Sequence, residues 1–268
     1  MERIGLIAGN RKFPFLLASE AKKKNYYLAA VAIKGDASPR LKNFVDKIYW
    51  VGLGELNRMI EIFRAEGIIK IIMAGQVSPR RLFSKEVKNS PELQGLLNGI
   101  TDRRADSIFR AIARRLEAAG LELLDSTTFI EEHLPAKGVL TGRGPDAAVS
   151  EDIKFGLEMA KAIAGLDIGQ TVAVKDKAIV AVEALEGTDN LIRRAGLISR
   201  GGGVTVVKVS KPNQDTRFDI PVVGLNTVRN LIKAGAKCLA IEAGKTLFID
   251  REPAVRLADR KGICIVAV

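Results

Sequence analysis

The chain has 268 residues, of which 47% are hydrophobic and 5% aromatic, and 42 lysines and arginines against 31 acidic residues give a net charge of +11. This length favours two domains over one. Two cysteines and one histidine, His133, are too few for a disulfide framework, a histidine-rich zinc site or a Ser-His-Asp triad.

The first half alternates apolar runs with amphipathic segments, which predicts strands alternating with helices in a parallel sheet. Strands are predicted at 3–8, 27–33, 47–51 and 68–75, and helices at 13–24, 56–67 and 102–120. Residues 80–100 have no clear period. A strand, a loop and a helix at the start predict a Rossmann-like sheet, although the usual G-x-G-x-x-G fingerprint is absent.

The second half predicts a mixed α/β domain that does not repeat the first. A helix is predicted at 150–165, with Ser150 as its N-cap. Two strand pairs follow, the first around a tight turn near Lys177 and the second formed by residues 238–244 and 246–250.

A stretch rich in glycine and proline separates the two halves. It predicts an N-terminal domain over residues 1–132 and a C-terminal domain over residues 133–268, with a ligand cleft between them. The two cysteines, Cys238 and Cys264, lie in apolar runs, which predicts buried reduced thiols rather than a disulfide.

The surplus of positive charge predicts a polyanionic partner. No nucleic-acid motif accompanies the charge, so we expect phosphate-bearing ligands or membrane lipid and no nucleic acid. No apolar run approaches the ~18 residues that a membrane span needs, and the N-terminus lacks the organisation of a signal peptide. These features predict a cytoplasmic protein.

Carboxylates alternate with cations over residues 182–224, which is the composition that a site for a metal and phosphate requires. The charged residues include Glu183, Glu186, Asp189, Arg193, Arg194, Lys211, Asp215, Arg217 and Asp219. Pro212 and Pro221 disfavour a helix between them. In an extended segment, one face would carry Lys211, Asp215, Arg217 and Asp219. A solvated strand with paired charges is an equally good interpretation of this spacing.

Short loops after predicted strands supply further candidates. Gly9-Asn10 and Gly75-Gln76 each follow a strand and would meet at one edge of the sheet, as a ligand site or as ordinary loops. Thr188 opens a helix, whose first N–H groups can bind phosphate. Residues 201–203, three glycines, would let a phosphate approach the backbone or would serve as a flexible connector.

The sequence resembles the LpxI-type family of UDP-2,3-diacylglucosamine pyrophosphatases of bacterial lipid A biosynthesis. The strongest correspondence lies in EDIKFGLEMAKAIAG, DIGQTVAV, VAVEALEGTDNLIRRAG and KVSKPNQDTRFDIPVVG. The first half adds IGLIAGNRKFPFLLA and IIMAGQVSP. The resemblance covers nearly the whole chain and is weakest over residues 80–100.

The resemblance implies a hydrolase that depends on Mg²⁺ or another divalent cation. In it, water attacks the α-phosphorus of UDP-2,3-diacylglucosamine and gives UMP and 2,3-diacylglucosamine 1-phosphate. The expected catalytic residues are Asp219, Asp215 and Lys211, and the expected metal ligands are Asp219, Asp215, Glu186 and Asp189. Substrate binding is expected from Gly9, Asn10, Gly75, Gln76, Thr188, Arg194, Gln214 and Arg217.

A diacylated substrate resides in a bilayer, so the positive charge also predicts peripheral contact with the anionic surface of the inner membrane. The oligomeric state stays open, with a homodimer among the options. A different class of function, a non-catalytic protein that binds nucleotides or phospholipids, would use the same cations without chemistry. Release of UMP distinguishes the two.

Overall fold

The computed structural model describes residues 1–78, 81, 84–100, 102, 104–200 and 202–268. The chain forms two compact units: the first contains Met1–Glu131 and Asp215–Asp219, and the second contains Glu132–Gln214 and Ile220–Val268. Both are α/β, which confirms the predicted fold class. The second unit is interrupted, however, because five residues within the predicted C-terminal domain belong to the first unit.

The first unit is built on five parallel strands. These are β1 (Arg3–Ala8), β2 (Tyr27–Ile33), β3 (Lys47–Val51), β4 (Lys70–Ala74) and β5 (Glu122–Leu123). Its helices are α1 (Phe13–Lys23), α2 (Leu56–Ala65), α3 (Lys85–Lys88), α4 (Pro91–Asn98) and α5 (Ala105–Ala118). The strand order is β3-β2-β1-β4-β5, the order of a doubly wound sheet.

Apolar side chains on the strands and on one stripe of α2 build the core of this unit. Met59, Ile60 and Phe63 lie on the buried face of α2 and pack on the sheet. Gly5 lets the helix approach, because a Cβ there would lie 2.7 Å from Ile71 Cγ2 and would overlap the Phe63 ring. The strand order reverses between β1 and β4, so their carboxyl ends form the crevice in which such sheets bind ligands.

The second unit contains eight strands in two sheets. They are β6 (Gly138–Val139), β7 (Thr171–Lys175), β8 (Ala178–Val182), β9 (Thr205–Lys208), β10 (Val222–Gly224), β11 (Cys238–Ile241), β12 (Leu247–Ile249) and β13 (Cys264–Ala267). The larger sheet has the order β6-β13-β11-β9-β7-β8, and β10 pairs with β12. The helices are α6 (Ala147–Gly165), α7 (Thr188–Ile198), α8 (Leu225–Lys233) and α9 (Arg251–Arg260).

The larger sheet is covered on both faces, as its continuous apolar strands require. Helix α6 packs on one face, which includes the free thiols of Cys238 and Cys264. Helices α7, α8 and α9 pack on the other. The predicted hairpin of β7 and β8 is confirmed: the strands are antiparallel, and Asp176 and Lys177 in the turn both have positive φ.

Two local predictions for this unit are wrong. Residues 238–244 and 246–250 do not form a strand pair: β11 pairs with β9 and β13, whereas β12 pairs with β10. Helix α6 begins before Ser150, because Asp146 is the N-cap and its carboxylate accepts a hydrogen bond of 2.8 Å from the Val149 N–H.

The predicted extended stretch from Lys211 to Asp219 is a pair of turns. The Gln214 N–H donates to the Lys211 carbonyl, and the Phe218 and Asp219 N–H groups donate to the Asp215 carbonyl. The predicted alternation of side chains on one face is therefore wrong. Lys211 and Gln214 belong to the second unit, and Asp215–Asp219 belongs to the first.

Over the described residues, no helix is both long enough and apolar enough to cross a bilayer.

Candidate functional site

The structure brings Gly9, Asn10, Gly75 and Gln76 together at the crevice between β1 and β4. The Gly9 N–H donates to the Ala74 carbonyl at 2.9 Å, and the Asn10 N–H donates to the Gln76 carbonyl at 2.8 Å. The two loops thus extend the pairing of the strands beyond their ends. The sequence predicts this juxtaposition, because the carboxyl ends of adjacent parallel strands lie at one edge.

Both glycines permit the close approach of the two loops. A Cβ on Gly9 would lie 2.7 Å from the Gln76 carbonyl oxygen, and a Cβ on Gly75 would lie 2.6 Å from that of Asn10. Gly75 also has a φ of +87°, a conformation that residues with a Cβ rarely adopt. Of the two glycines, Gly75 is exposed and Gly9 is buried, so it is the Gly75 backbone that is open to a ligand at this edge.

The Asn10 side chain presents an unused acceptor at the same edge. Its Oδ1 atom is buried and has no hydrogen-bond partner among the described residues, whereas its Nδ2 donates to Asp36 Oδ1 at 3.5 Å. Asp36 is fixed in turn by the Ser78 N–H and by an ion pair of 2.6 Å with Arg81. A buried acceptor without a donor fits a ligand that brings an N–H or O–H group. The sequence gives no signal for Asp36, which lies in a loop after β2.

Residues 215–219 are held in the first unit by contacts of the Phe218 ring and of the Arg217 carbonyl. Phe218 joins the core and stacks on Phe109 with a centroid distance of 5.8 Å. The Ser126 hydroxyl contacts two carbonyl oxygens, those of Met73 in β4 and of Arg217, both at 2.9 Å. The segment that contains Asp219 therefore lies beside the end of β4.

Asp215 and Arg217 form a bidentate ion pair within this segment. Arg217 Nε donates to Asp215 Oδ1 at 2.9 Å, and Arg217 Nη2 donates to Asp215 Oδ2 at 2.7 Å. The hydrogen bonds from Arg217 hold the pKa of Asp215 below its usual value, and the same contacts raise the pKa of Arg217. Arg217 also pairs with Glu117. The two charged side chains pair with each other and stabilise the turn. Of the two interpretations of this spacing, a ligand site or paired charges, the second is the simpler.

The carboxyl end of β9 carries a polar network that joins the predicted residue Thr188 to Lys208, which is not among the predicted site residues. Lys208, only 5% exposed, donates to Thr188 Oγ1 at 2.7 Å, and the Thr188 hydroxyl donates to Glu183 Oε1 at 2.7 Å. Lys208 faces Thr171 in the register of β9 and β7. The sequence signal for Lys208 is a single cation within the apolar strand run VTVVKVS. Thr188 is thus fixed at the start of α7 by a cation and a carboxylate.

The other candidates of the second unit each have specific contacts. Glu186 accepts from Arg194 Nη2 at 2.8 Å, and Asp189 accepts from Asn226 Nδ2 at 2.9 Å. Lys211 pairs with Asp167 at 2.6 Å.

Gln214 stabilises the turn that ends where the chain passes back to the first unit, because its Oε1 accepts the Lys211 N–H at 2.6 Å. In the predicted glycine triplet, residue 201 lies outside the described residues. Gly203 lies beside the side chains of Lys175 and Lys237, beyond the opposite ends of the strands from Lys208.

Glu242 follows β11 at the same edge as Lys208. It accepts hydrogen bonds from Lys161 Nζ at 2.7 Å and from the Ser210 N–H and hydroxyl at 2.9 and 2.8 Å. Burial alone would raise the pKa of Glu242, but these bonds and one from Lys245 outweigh burial and lower its pKa to about 2. The charged form of Glu242 therefore stabilises the second unit.

Glu242→Gln should lower the free energy of unfolding at neutral pH by about 1–3 kcal/mol. A depressed folded-state pKa contributes stability above the unfolded value of 4.5 that is lost as pH falls toward 2. The difference between wild type and variant should therefore shrink on acidification, as urea unfolding at a series of pH values would measure. Glu158→Gln, at an exposed position of α6, is the control. A difference that does not depend on pH would contradict this account.

The oxygen donors of Asp219, Asp215, Glu186 and Asp189 are of the type that Mg²⁺ prefers. Asp215 and Glu186 each bind an arginine, so either would have to exchange that arginine for the ion. Mg²⁺ is commonly held by one or two carboxylates together with substrate phosphates and water. Asp215 and Asp219 belong to the first unit and Glu186 and Asp189 to the second, so the binding of one ion by these carboxylates stays a prediction.

Two family models cover almost all of the chain. The LpxI N-terminal domain matches residues 3–133, and the LpxI C-terminal domain matches residues 136–266. The UDP-2,3-diacylglucosamine pyrophosphatase LpxI of Caulobacter vibrioides is 32% identical over 278 residues, covering 100% of this chain and 98% of that protein.

Two solved structures show distant similarity to this chain. The biotin carboxylase domain of a thermophilic 2-oxoglutarate carboxylase has a TM-score of 0.29 at 12% identity, covering 65% of this chain and 35% of that one. N5-carboxyaminoimidazole ribonucleotide synthetase from Thermotoga maritima has a TM-score of 0.27 at 14% identity, covering 70% and 43%. This chain therefore spans less than half the length of either structure, and the scores are too low to support an argument.

Proposed function

The chain belongs to the LpxI family, and on that premise we propose that it hydrolyses the diphosphate of UDP-2,3-diacylglucosamine to UMP and 2,3-diacylglucosamine 1-phosphate, in lipid A biosynthesis. The observation that carries this proposal is the relation to the Caulobacter pyrophosphatase over the full length of both chains. The family models support it independently in each half.

The geometry of each unit supports a phosphate-bearing substrate. In the first unit, Gly75 exposes its backbone at the crevice, and Asn10 offers an acceptor to a donor such as a nucleobase N–H. In the second unit, Thr188 opens α7, where backbone N–H groups favour an anion, and Lys208 adds a cation beside it.

Hydrolysis requires that the charge developing on the phosphates is stabilised while water attacks phosphorus. Lys211, Arg194 and Arg217 would supply cations, each exchanging a carboxylate of the protein for a phosphate oxygen. Asp219 would orient the attacking water and accept a hydrogen bond from it as the new P–O bond forms and the bond to the bridging oxygen breaks. A Mg²⁺ ion held by Asp219, with Asp215, Glu186 or Asp189, would supply further electrostatic stabilisation.

The direct test is release of UMP from UDP-2,3-diacylglucosamine by the purified protein, with and without EDTA. We expect hydrolysis that EDTA abolishes and added Mg²⁺ restores. Binding of the substrate without release of UMP would instead identify a phospholigand-binding protein. Full activity in EDTA would overturn the metal dependence alone.

The same assay in heavy-oxygen water identifies the phosphorus that is attacked. The family resemblance leads us to expect attack at the α-phosphorus, which places the label in UMP. No described side chain selects one phosphorus over the other, so mass spectrometry of both products decides. Label in the sugar phosphate would show attack at the β-phosphorus.

A further inference from the structure

Five cations and two exposed aliphatic side chains lie at one edge of the second unit. We call this surface the basic edge and define it as Lys175, Lys177, Leu197, Ile198, Arg200, Lys233 and Lys237. It lies at the ends of α7 and α8 and at the amino ends of β9 and β11. The candidate residues Thr188 and Lys208 lie at the opposite ends of α7 and β9.

Contacts between glycines and their neighbours show that these residues adjoin one another. A Cβ on Gly203 would lie 3.7 Å from Lys175 Cε and 3.8 Å from Lys237 Cε. A Cβ on Gly196 would lie 2.7 Å from Ala234 Cα, so the last turns of α7 and α8 are in contact. Leu197 and Lys233 adjoin these two residues in the sequence, and both are exposed.

None of the five cations of the basic edge forms an ion pair with another residue that the structure describes. The helix dipoles favour cations at the ends of α7 and α8, which accounts for Arg200 and Lys233 but not for the three lysines on the strand ends. Asp176, in the same turn as Lys177, and Asp152, which accepts a hydrogen bond of 2.7 Å from the Lys177 N–H, contribute two opposite charges.

The aliphatic side chains of the basic edge are also unexplained by folding. Leu197 is 81% exposed and Ile198 is 55% exposed, although both lie on a helix with an apolar buried face. Exposed aliphatic side chains beside unpaired cations are the composition of surfaces that bind anionic membranes, where cations meet headgroups and apolar side chains enter the interface.

We propose that the basic edge is the surface by which this protein docks on an anionic lipid bilayer, with Leu197 and Ile198 at the boundary of the acyl chains. Charge complementarity is the argument for this occupant over a second copy of the chain, since two such edges would repel each other. The inference rests on the proposed function in one respect: a diacylated substrate requires an enzyme that works at a bilayer.

The test is flotation of the protein with vesicles of phosphatidylcholine alone or mixed with phosphatidylglycerol. Wild type should float with the anionic vesicles only, and added salt should release it. Lys233→Gln/Lys237→Gln should weaken binding roughly twenty-five-fold, about fivefold for each cation. Leu197→Ser/Ile198→Ser should weaken binding even where salt is low. Arg143→Gln/Lys154→Gln, which neutralises two exposed cations elsewhere in the unit, is the control and should bind like wild type.

Equal loss of binding in the control, or equal flotation with neutral vesicles, would overturn the proposal. So would self-association, in sedimentation without lipid, that the basic-edge variants abolish. Hydrolysis of detergent-dispersed substrate separates this proposal from the proposed function. The basic-edge variants should retain the wild-type rate there, whereas a wild type inactive in detergent would refute the activity and leave the flotation result standing.

Discussion

Asp219→Ala is expected to lower kcat by roughly a thousandfold while the protein stays folded. The Asp219 N–H completes the turn by donating to the Asp215 carbonyl at 3.0 Å, and alanine preserves that bond. Phe218 and the Ser126 hydroxyl continue to hold the segment in place. The loss should therefore fall on the reacting water and the metal rather than on the fold.

Substrate affinity should persist in Asp219→Ala, because the cations that bind the diphosphate remain. The measurements are kcat and KM for UMP release, substrate affinity at equilibrium, and Tm. Glu158→Ala removes an exposed carboxylate from α6 and should change none of them. Near wild-type turnover in Asp219→Ala would return Asp219 to the class of solvated turn residues, and a large fall in Tm would make it structural.

Gly75→Ala is expected to reduce the free energy of unfolding of the first unit by about 3 kcal/mol. Two costs add: a residue with a Cβ at a φ of +87°, and a Cβ that lies 2.6 Å from a backbone oxygen. The oxygen belongs to Asn10, whose own loop is tied to Gln76, so neither loop can withdraw without breaking a hydrogen bond. Weaker binding of substrate should accompany the loss.

Gly67→Ala is the matched control for Gly75→Ala. Gly67 has a φ of +64° but nothing within 4 Å of a Cβ, so only the conformational cost of about 1 kcal/mol applies. Trp50 in β3 is the single tryptophan, so its fluorescence during urea unfolding reports on the first unit. Equal losses in the two variants would show that the loops separate easily.

Local sequence pattern was sufficient for most elements of the first unit. The apolar runs at 27–33 and 47–51 are strands with the predicted bounds. The pattern of apolar and β-branched residues that predicts a strand spans only a few neighbouring positions, so the local sequence is sufficient. The contact of Gly9 with Gly75 and Gln76 is also predictable, because the order of strands and helices determines which loops lie at the same edge of the sheet.

Features that depend on contacts between residues far apart in the sequence cannot be predicted from the local pattern. Residues 215–219 join the first unit through Phe218 and Ser126, partners about a hundred positions away along the chain. The partner of β12 is β10 rather than its neighbour β11 for the same reason. Lys208 was visible as a charge in an apolar run, but its link to Thr188 and Glu183 needed the register of three strands.

The excursion of five residues into the first unit makes the two halves of the polypeptide unsuitable as separate modules. The chain passes from one unit to the other at 131–132, 214–215 and 219–220. A protease that cut only the first of these links would leave two fragments held together, because Phe218 on the second fragment still stacks on Phe109 of the first. The N-terminal half expressed by itself would lack the Phe218 ring that stacks on Phe109. Recombination between genes that exchanged one half would therefore have to retain this pairing.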